Sequence, residues 1–366
     1  MQRTKPPFRA DHVGSLLRPP ALKEARERRA KSEISAAELK AVEDREIARL
    51  IEKQEEVGLQ AVTDGEFRRS WWHLDFLWGL DNCSRNVMDT GVAFAGVQTR
   101  AEGIRVDGKL GFSGHPMIDH FRFVAAHATR TPKMTIPAPS AIYGRPVPTP
   151  IDKTAYPTLE LFFADLGQAY RQAVRAFADA GCRYLQLDEV FIAMLCDPKY
   201  RRQMTARGDD PAKLGEIYGD LINVAMSDIP SDMTITMHLC RGNYKSTYMG
   251  SGGYDAVQEI LFNKINVHGY FMEYDDTRSG GFEPLRLLPK GKIVVLGLVT
   301  TKTGRLESKD QIKRRIDEAA RFADLDQLAL SGQCGFASTE EGNVLSEDEQ
   351  WAKLARIVEV AEEVWG

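Results

Sequence analysis

Short apolar runs recur along the 366-residue chain, alternating with stretches of helical periodicity, and that alternation leaves few folds open. Glu33 to Val57 is rich in helix formers with apolar residues at three-to-four spacing, and Gly58-Leu-Gln-Ala-Val-Thr-Asp64 then reads as a strand. The same unit returns at Leu159 to Ala180, a helix ended by Gly181 that leads into Tyr184-Leu-Gln-Leu-Asp188. A third unit pairs a helix over Leu214 to Met226 with a strand ending at His238. Continued along the chain, the reading places eight strands ending near Val13, Asp64, Pro137, Asp188, His238, Glu273, Val299 and Ser331. The expected fold class is α/β, a (β/α)₈ TIM barrel formed by residues 1–366 as one catalytic domain. Residues from about 82 to 130 break the alternation and are expected to form an inserted hairpin or cap between strands two and three.

Composition narrows the function classes. Apolar residues make up 43% and charged residues 27%, enough for a large core. With 48 basic and 52 acidic residues the net charge is −4, so nothing favours nucleic acid or an anionic membrane, and a small-molecule partner is expected. No apolar run approaches the length of a membrane span, the N-terminus has no apolar core of signal-peptide length, and the five scattered cysteines do not suggest a disulfide framework. The expected compartment is the cytoplasm. Oligomeric state is not legible.

Chemistry gathers where the strands stop. Three potential metal ligands, His238, Cys240 and Cys334, with Glu273 between them, each lie at the far end of an apolar run. In a barrel these ends share one mouth. A lone His-x-Cys pair is common by chance, and free cysteines are usually small buried hydrophobes, but four candidate ligands at strand ends point to Zn²⁺. Two thiolates lower the effective charge on the ion, which makes it a poor acid for water yet leaves an incoming thiolate nucleophilic. Glu273 is the weaker ligand, the one for an entering thiol to displace. S-alkylation is the chemistry this set implies.

Glu66, Asp188 and Glu189 also fall at strand ends, where buried carboxylates need a cation, a metal or a donor-rich ligand. An ammonium group suits all three together, while pairing with Arg68, Arg69 or Arg183 is the structural alternative for any one of them. Trp71 and Trp72 follow the Asp64-Gly65-Glu66 turn, either as an aromatic wall over the pocket or as core anchors.

In order along the chain, His12-Val-Gly-Ser-Leu-Leu-Arg18, Asp64-Gly-Glu66, Gln186-Leu-Asp-Glu189, His238-Leu-Cys240, Met272-Glu273 and Gln333-Cys-Gly335 resemble the catalytic barrel of cobalamin-independent methionine synthase. The resemblance spans nearly the whole chain and matches short, single-barrel members. It implies zinc on His238, Cys240, Glu273 and Cys334, with Ser15 and Glu66 holding the amino acid's polar end and Asp188 meeting the ammonium of homocysteine. It implies an S-methyltransferase in which homocysteine sulfur, held as thiolate, attacks a methyl carbon of methyl-tetrahydrofolate or another donor. Departures fall on the donor side. The family's Asp-x-His after the seventh strand is Thr300-Thr-Lys302 here, so Lys302 is the candidate proton donor. The family's folate-stacking tryptophan has no evident counterpart, leaving Tyr143 as its candidate substitute.

Other readings remain. Epoxyalkane:coenzyme M transferases use the same zinc–thiol chemistry, but their sulfonate substrate has no amine for Glu66 and Asp188. A metal hydrolase would favour histidine and carboxylate ligands, and a non-catalytic zinc protein would close its metal site.

Overall fold

The structure, a computed structural model, describes residues 3–366. Its central sheet is parallel, with Leu328–Gly332, Ile293–Val299, Gly269–Glu273, Thr234–Leu239, Tyr184–Glu189 and Met134–Pro137 paired side by side in that order. The ring extends at both ends. Thr131–Pro132, just before Met134–Pro137, pairs with Ala61–Val62, while Ala10 bridges Leu330 at the opposite edge. Between the first and second segments it closes through His12 Nε2 and the Ala61 carbonyl at 3.1 Å, Thr63 Oγ1 donating to the Gly14 carbonyl at 2.7 Å, and Leu16 N donating to the Gly65 carbonyl at 3.1 Å. The fold is a TIM barrel.

The first segment pairs as an isolated bridge rather than as a full strand. Asp11 accepts from the backbone of Phe8 at 3.1 Å and of His12 at 2.8 Å, which spends locally the donors a longer ladder would need. The four strands from Tyr184 to Val299 and the last, Leu328–Gly332, are buried along almost their whole length, as parallel strands covered on both faces must be. A small cluster of Val13, Phe271, Ile293, Val295 and Ala329 fills the barrel, while a much larger core lies between the sheet and the outer helices.

Local signals set the helix ends. Ala36–Val57 starts at a capping box of Ser35 and Glu38 and stops at Gly58, whose φ of 101° suits glycine. Glu347–Trp365 carries the same box in Ser346 and Glu349. Leu159–Asp179 and Pro211–Ala225 pack against each other outside the sheet.

The non-alternating segment divides into two parts. Asp81–Val87 pairs antiparallel with Glu102–Gly111, and a second hairpin of Ala93–Phe94 and Val97–Gln98 forms the tip. Residues placed by sequence in the same insertion, Pro116–His127, form a crossover helix that buries Met117, Phe121 and Val124. Spacings of four and three put these side chains on one face, a signal masked in the sequence by β-favouring Phe and Val. No helix among the described residues is long and apolar enough to cross a membrane, and all five cysteines are free thiols.

Candidate active site

Parallel register brings the strand ends together. Asp188 lies opposite His238, and the strand carrying Glu273 runs beside the one carrying His238. Gly332 ends the last strand and Cys334 follows. One potential ligand atom from each of His238, Cys240, Glu273 and Cys334 lies within 4.8 Å of the others, and all four residues are buried. The two sulfurs are 3.6 Å apart. Neither ring nitrogen of His238 has a hydrogen-bond partner, and neither does Glu273 Oε2. Buried groups left open in this way, with one nitrogen, two sulfurs and one oxygen converging, fit a tetrahedral metal ion. The hydrogen bond between the thiols, helped by His238 and Lys302, holds Cys334 well below the usual thiol range, and the same bond pushes Cys240 well above it.

Supporting residues fix Glu273. Gln333 Nε2 donates to Glu273 Oε1 at 2.6 Å and the Arg241 backbone to the same oxygen at 3.3 Å. Arg278 and Arg241 approach Oε2 at 3.7 and 3.9 Å. Gly335 is required beside Cys334, because a side chain there would collide with Ser15 Oγ.

Next to the cluster lie the acidic residues. Glu66 has φ 61°, a left-handed conformation uncommon outside glycine, and its backbone N–H is held by Asp64 Oδ1 at 2.9 Å. Its Oε1 accepts from Thr135 Oγ1 at 2.9 Å and faces Arg69 at 3.4 Å, whereas Oε2 is buried without a partner. Burial pushes Glu66 up to about 7, with Arg69 opposing and Asp188 adding to the rise. Burial likewise raises Asp188 to about 6, although His238 and the 2.7 Å bond from Gln186 Nε2 favour its ionised form.

These groups open on a cleft at the barrel mouth. Its wall includes Ser15, Glu66, Trp71, Trp72, Asp188, His238, Cys240 and Cys334. Trp72 stacks on His73 at 4.4 Å, and Trp71 Nε1 donates to Glu102 Oε2 at 2.8 Å. Val92 and Phe94, from the inserted hairpin, complete an apolar side.

Three residues expected at the site lie elsewhere. Glu189 turns to the other side of its strand from Asp188, as successive strand residues must, and accepts from Ser140 Oγ at 2.7 Å and from the backbones of Phe191 and Ile192 at 2.7 and 2.8 Å. Burial raises it to about 7, but no cleft ligand is needed to satisfy it. Tyr143 donates to Asp209 at 2.8 Å and packs on Phe163, so it does not replace a stacking tryptophan. Lys302 does not line the cleft. Its ammonium is tied at 3.3 Å to both Asn243 Oδ1 and the Thr247 carbonyl, which leaves its charge acting on the thiols from behind the wall.

Sequence reasoning missed Arg145, His73, Glu102 and the orienting role of Gln333. Gln333 was visible as the neighbour of Cys334. Arg145 follows the third strand end, where a cation in an apolar run was the only signal.

This arrangement defines a barrel enzyme with one histidine, two cysteines and one glutamate able to hold a metal ion at its mouth. Residues 8–363 match the family described as cobalamin-independent synthase, catalytic domain, and the chain belongs to that family of methyltransferases. The Bacillus subtilis protein YxjH is 50% identical over 366 residues, covering all of this chain and 96% of its own length. A crystal structure provisionally assigned as a vitamin-B12-independent methionine synthase from Listeria monocytogenes is 39% identical, with each chain wholly covered and a TM-score of 0.80. A B12-independent methionine synthase from Shewanella sp. W3-18-1, solved with selenomethionine, shares the fold at a TM-score of 0.72 and 19% identity, over 96% of each chain.

Proposed function

We propose that this protein transfers a methyl group to the thiol of homocysteine, giving methionine, with Zn²⁺ held by His238, Cys240, Glu273 and Cys334. One observation carries the reading. A cluster able to hold a metal shares a cleft wall with two buried carboxylates, so a ligand bearing both a thiol and an ammonium can engage both at once. The selenomethionine of the Shewanella structure is the selenium analogue of the methylated product and carries the same ammonium.

Zinc in such a ligand set would accept the thiol as thiolate and keep it nucleophilic at neutral pH. The remaining work falls to the chain itself. Asp188 and the unpartnered Oε2 of Glu66 receive the ammonium, and Arg69 and Thr135 keep Glu66 aimed. Ser15 offers its hydroxyl to the amino acid's polar end beside Gly335. Gln333, Arg241 and Arg278 hold Glu273 in place while a thiol enters. Trp71, Trp72 and the hairpin residues Val92 and Phe94 exclude water and set the methyl carbon in line with the sulfur. Methyl-tetrahydrofolate is the proposed donor. An epoxide-opening thiol transferase would leave both carboxylates without a cation.

The test is methionine formation by the zinc-loaded protein from homocysteine and methyl-tetrahydrofolate triglutamate, read by mass spectrometry. Methionine that disappears in Cys240→Ser is the expected result. Failure of the protein to bind homocysteine at all would overturn the reading.

A further inference from the structure

Arg145 is 4% exposed and, among the described residues, is the only arginine or lysine on the cleft wall. A guanidinium carries five N–H donors and stays charged, so burying it calls for several acceptors and a counter-charge. Arg145 has two acceptors, neither of them a carboxylate. Nη1 meets His73 Nε2 at 2.5 Å, and Nη2 donates to the Glu102 carbonyl at a long 3.3 Å. The Glu102 carboxylate is taken by Trp71 Nε1 and Arg100.

Other buried arginines have more partners, although Nε of Arg18 and of Arg69 is itself unpartnered. Arg69 faces Glu66, and Arg241 faces Glu273 and donates to Gly252 and Tyr254. Arg18 lacks a carboxylate but donates to four backbone carbonyls, those of Ala337, Thr339, Glu66 and Arg69. Arg145 alone in this group is both short of acceptors and without an opposing charge.

We infer that Arg145 receives an anionic oxygen group, of the carboxylate class, on the methyl donor. Resting on the methyl-transfer reading, this assigns a substrate contact that lies apart from the metal cluster. The acceptor is the less suitable owner of the anion. In an α-amino acid the carboxylate and ammonium share one carbon, so an ammonium between Glu66 and Asp188 keeps its carboxylate close to those two acids. Among the described residues no ion pair joins Arg145 to either acid, while Glu66 faces Arg69 and Asp188 accepts from Gln186. Arg145 stands instead beside His73, which stacks on Trp72, and Pro146, with Phe94 across the apolar side. A donor with an apolar or aromatic body and an anionic end fits this half of the cleft, and methyl-tetrahydrofolate, with its glutamate carboxylates, is one such compound.

An unpaired buried cation costs stability in the free protein, and binding of the donor offsets that cost. Arg145→Met, close in length and apolar, is therefore expected to raise the melting temperature of the ligand-free protein. It should also lower kcat/KM for methyl-tetrahydrofolate roughly tenfold or more, without moving the homocysteine KM or the zinc content. Arg145→Lys should recover part of the donor KM. A fall in melting temperature with Arg145→Met would mark a structural arginine and overturn the inference. So would an unchanged donor KM, or a rise in the homocysteine KM instead. The melting measurement needs no donor, so it can fail or succeed independently of whether the protein makes methionine.

Discussion

The barrel has two buried polar regions, treated in opposite ways. Low in the barrel, Lys133 and Asp11 are fully buried and 3.2 Å apart. Asp11 also accepts from Tyr184 at 2.8 Å, and Lys133 lies over the rings of Phe271 and Tyr184 at 4.1 and 4.8 Å. No side-chain polar atom of Lys133, Asp11 or Tyr184 is without a partner. At the mouth, His238, Glu273 and Glu66 all keep buried polar atoms unpartnered, and Arg145 lacks a counter-charge. A closed network stabilises the fold, whereas an open one holds chemistry ready for a ligand. Conventional burial would not separate the two regions; satisfaction does.

The strongest way to break this comparison is at the metal. Cys334→Ser removes a thiolate from the cluster, and zinc retained through dialysis should fall from about one ion per chain to near none. Elemental analysis and activity should drop together. A variant that keeps its zinc would show that Cys334 is not needed to hold the metal and would remove it from the ligand set.

Lys133→Met tests the closed region and should do the reverse. It strands the Asp11 carboxylate, with an expected loss of about 3–5 kcal/mol of stability by chemical denaturation. Zinc content and homocysteine KM should stay put in the folded fraction. Loss of zinc at unchanged stability would mean the two regions are not separate.

The third test is pH. Glu66 must be ionised to receive an ammonium, and burial has lifted it from an ordinary 4.5 to about 7. Lowering the pH through 7 should therefore weaken methionine binding by up to about tenfold per unit, and Glu66→Gln should flatten that profile. Stability runs the other way. With the folded value above the unfolded one, the group's contribution is fully present below about 4.5 and is lost as pH rises through about 7. Calorimetry of binding, together with melting across the same range, separates the opposing signs; parallel trends would remove Glu66 from the ammonium site.

How much of this was readable follows the same division. Strand ends were legible because short apolar runs stop where the cluster begins, and register does the rest. Asp188 and Glu189 show the limit. Both are carboxylates at one strand end, yet pleating sends one to the cleft and the other to Ser140. Tyr143 and Lys302 were placed by analogy to positions on loops, and loop paths depend on contacts with Asp209 and Asn243 that no local pattern encodes. Arg145 showed in the sequence only as a cation in an apolar run, and its missing counter-charge emerges only from packing.

The smallest effect should come from the hairpin tip, which joins neither region. Phe94 touches the cleft and packs on Tyr244 with ring centroids 5.6 Å apart, and the neighbouring Ala95 N–H donates to the Tyr248 carbonyl at 3.0 Å. The backbone bond survives truncation, so Phe94→Ala loses only the ring contact, about 0.5–1.5 kcal/mol. If the tip serves to cover the cleft, that loss appears as a higher KM for the donor, with zinc content, the pH profile of methionine binding and global stability nearly unchanged. A stability loss as large as that of Lys133→Met would instead make the hairpin part of the closed framework, and the cover over the cleft would then have to be sought in the 241–249 loop on which it rests.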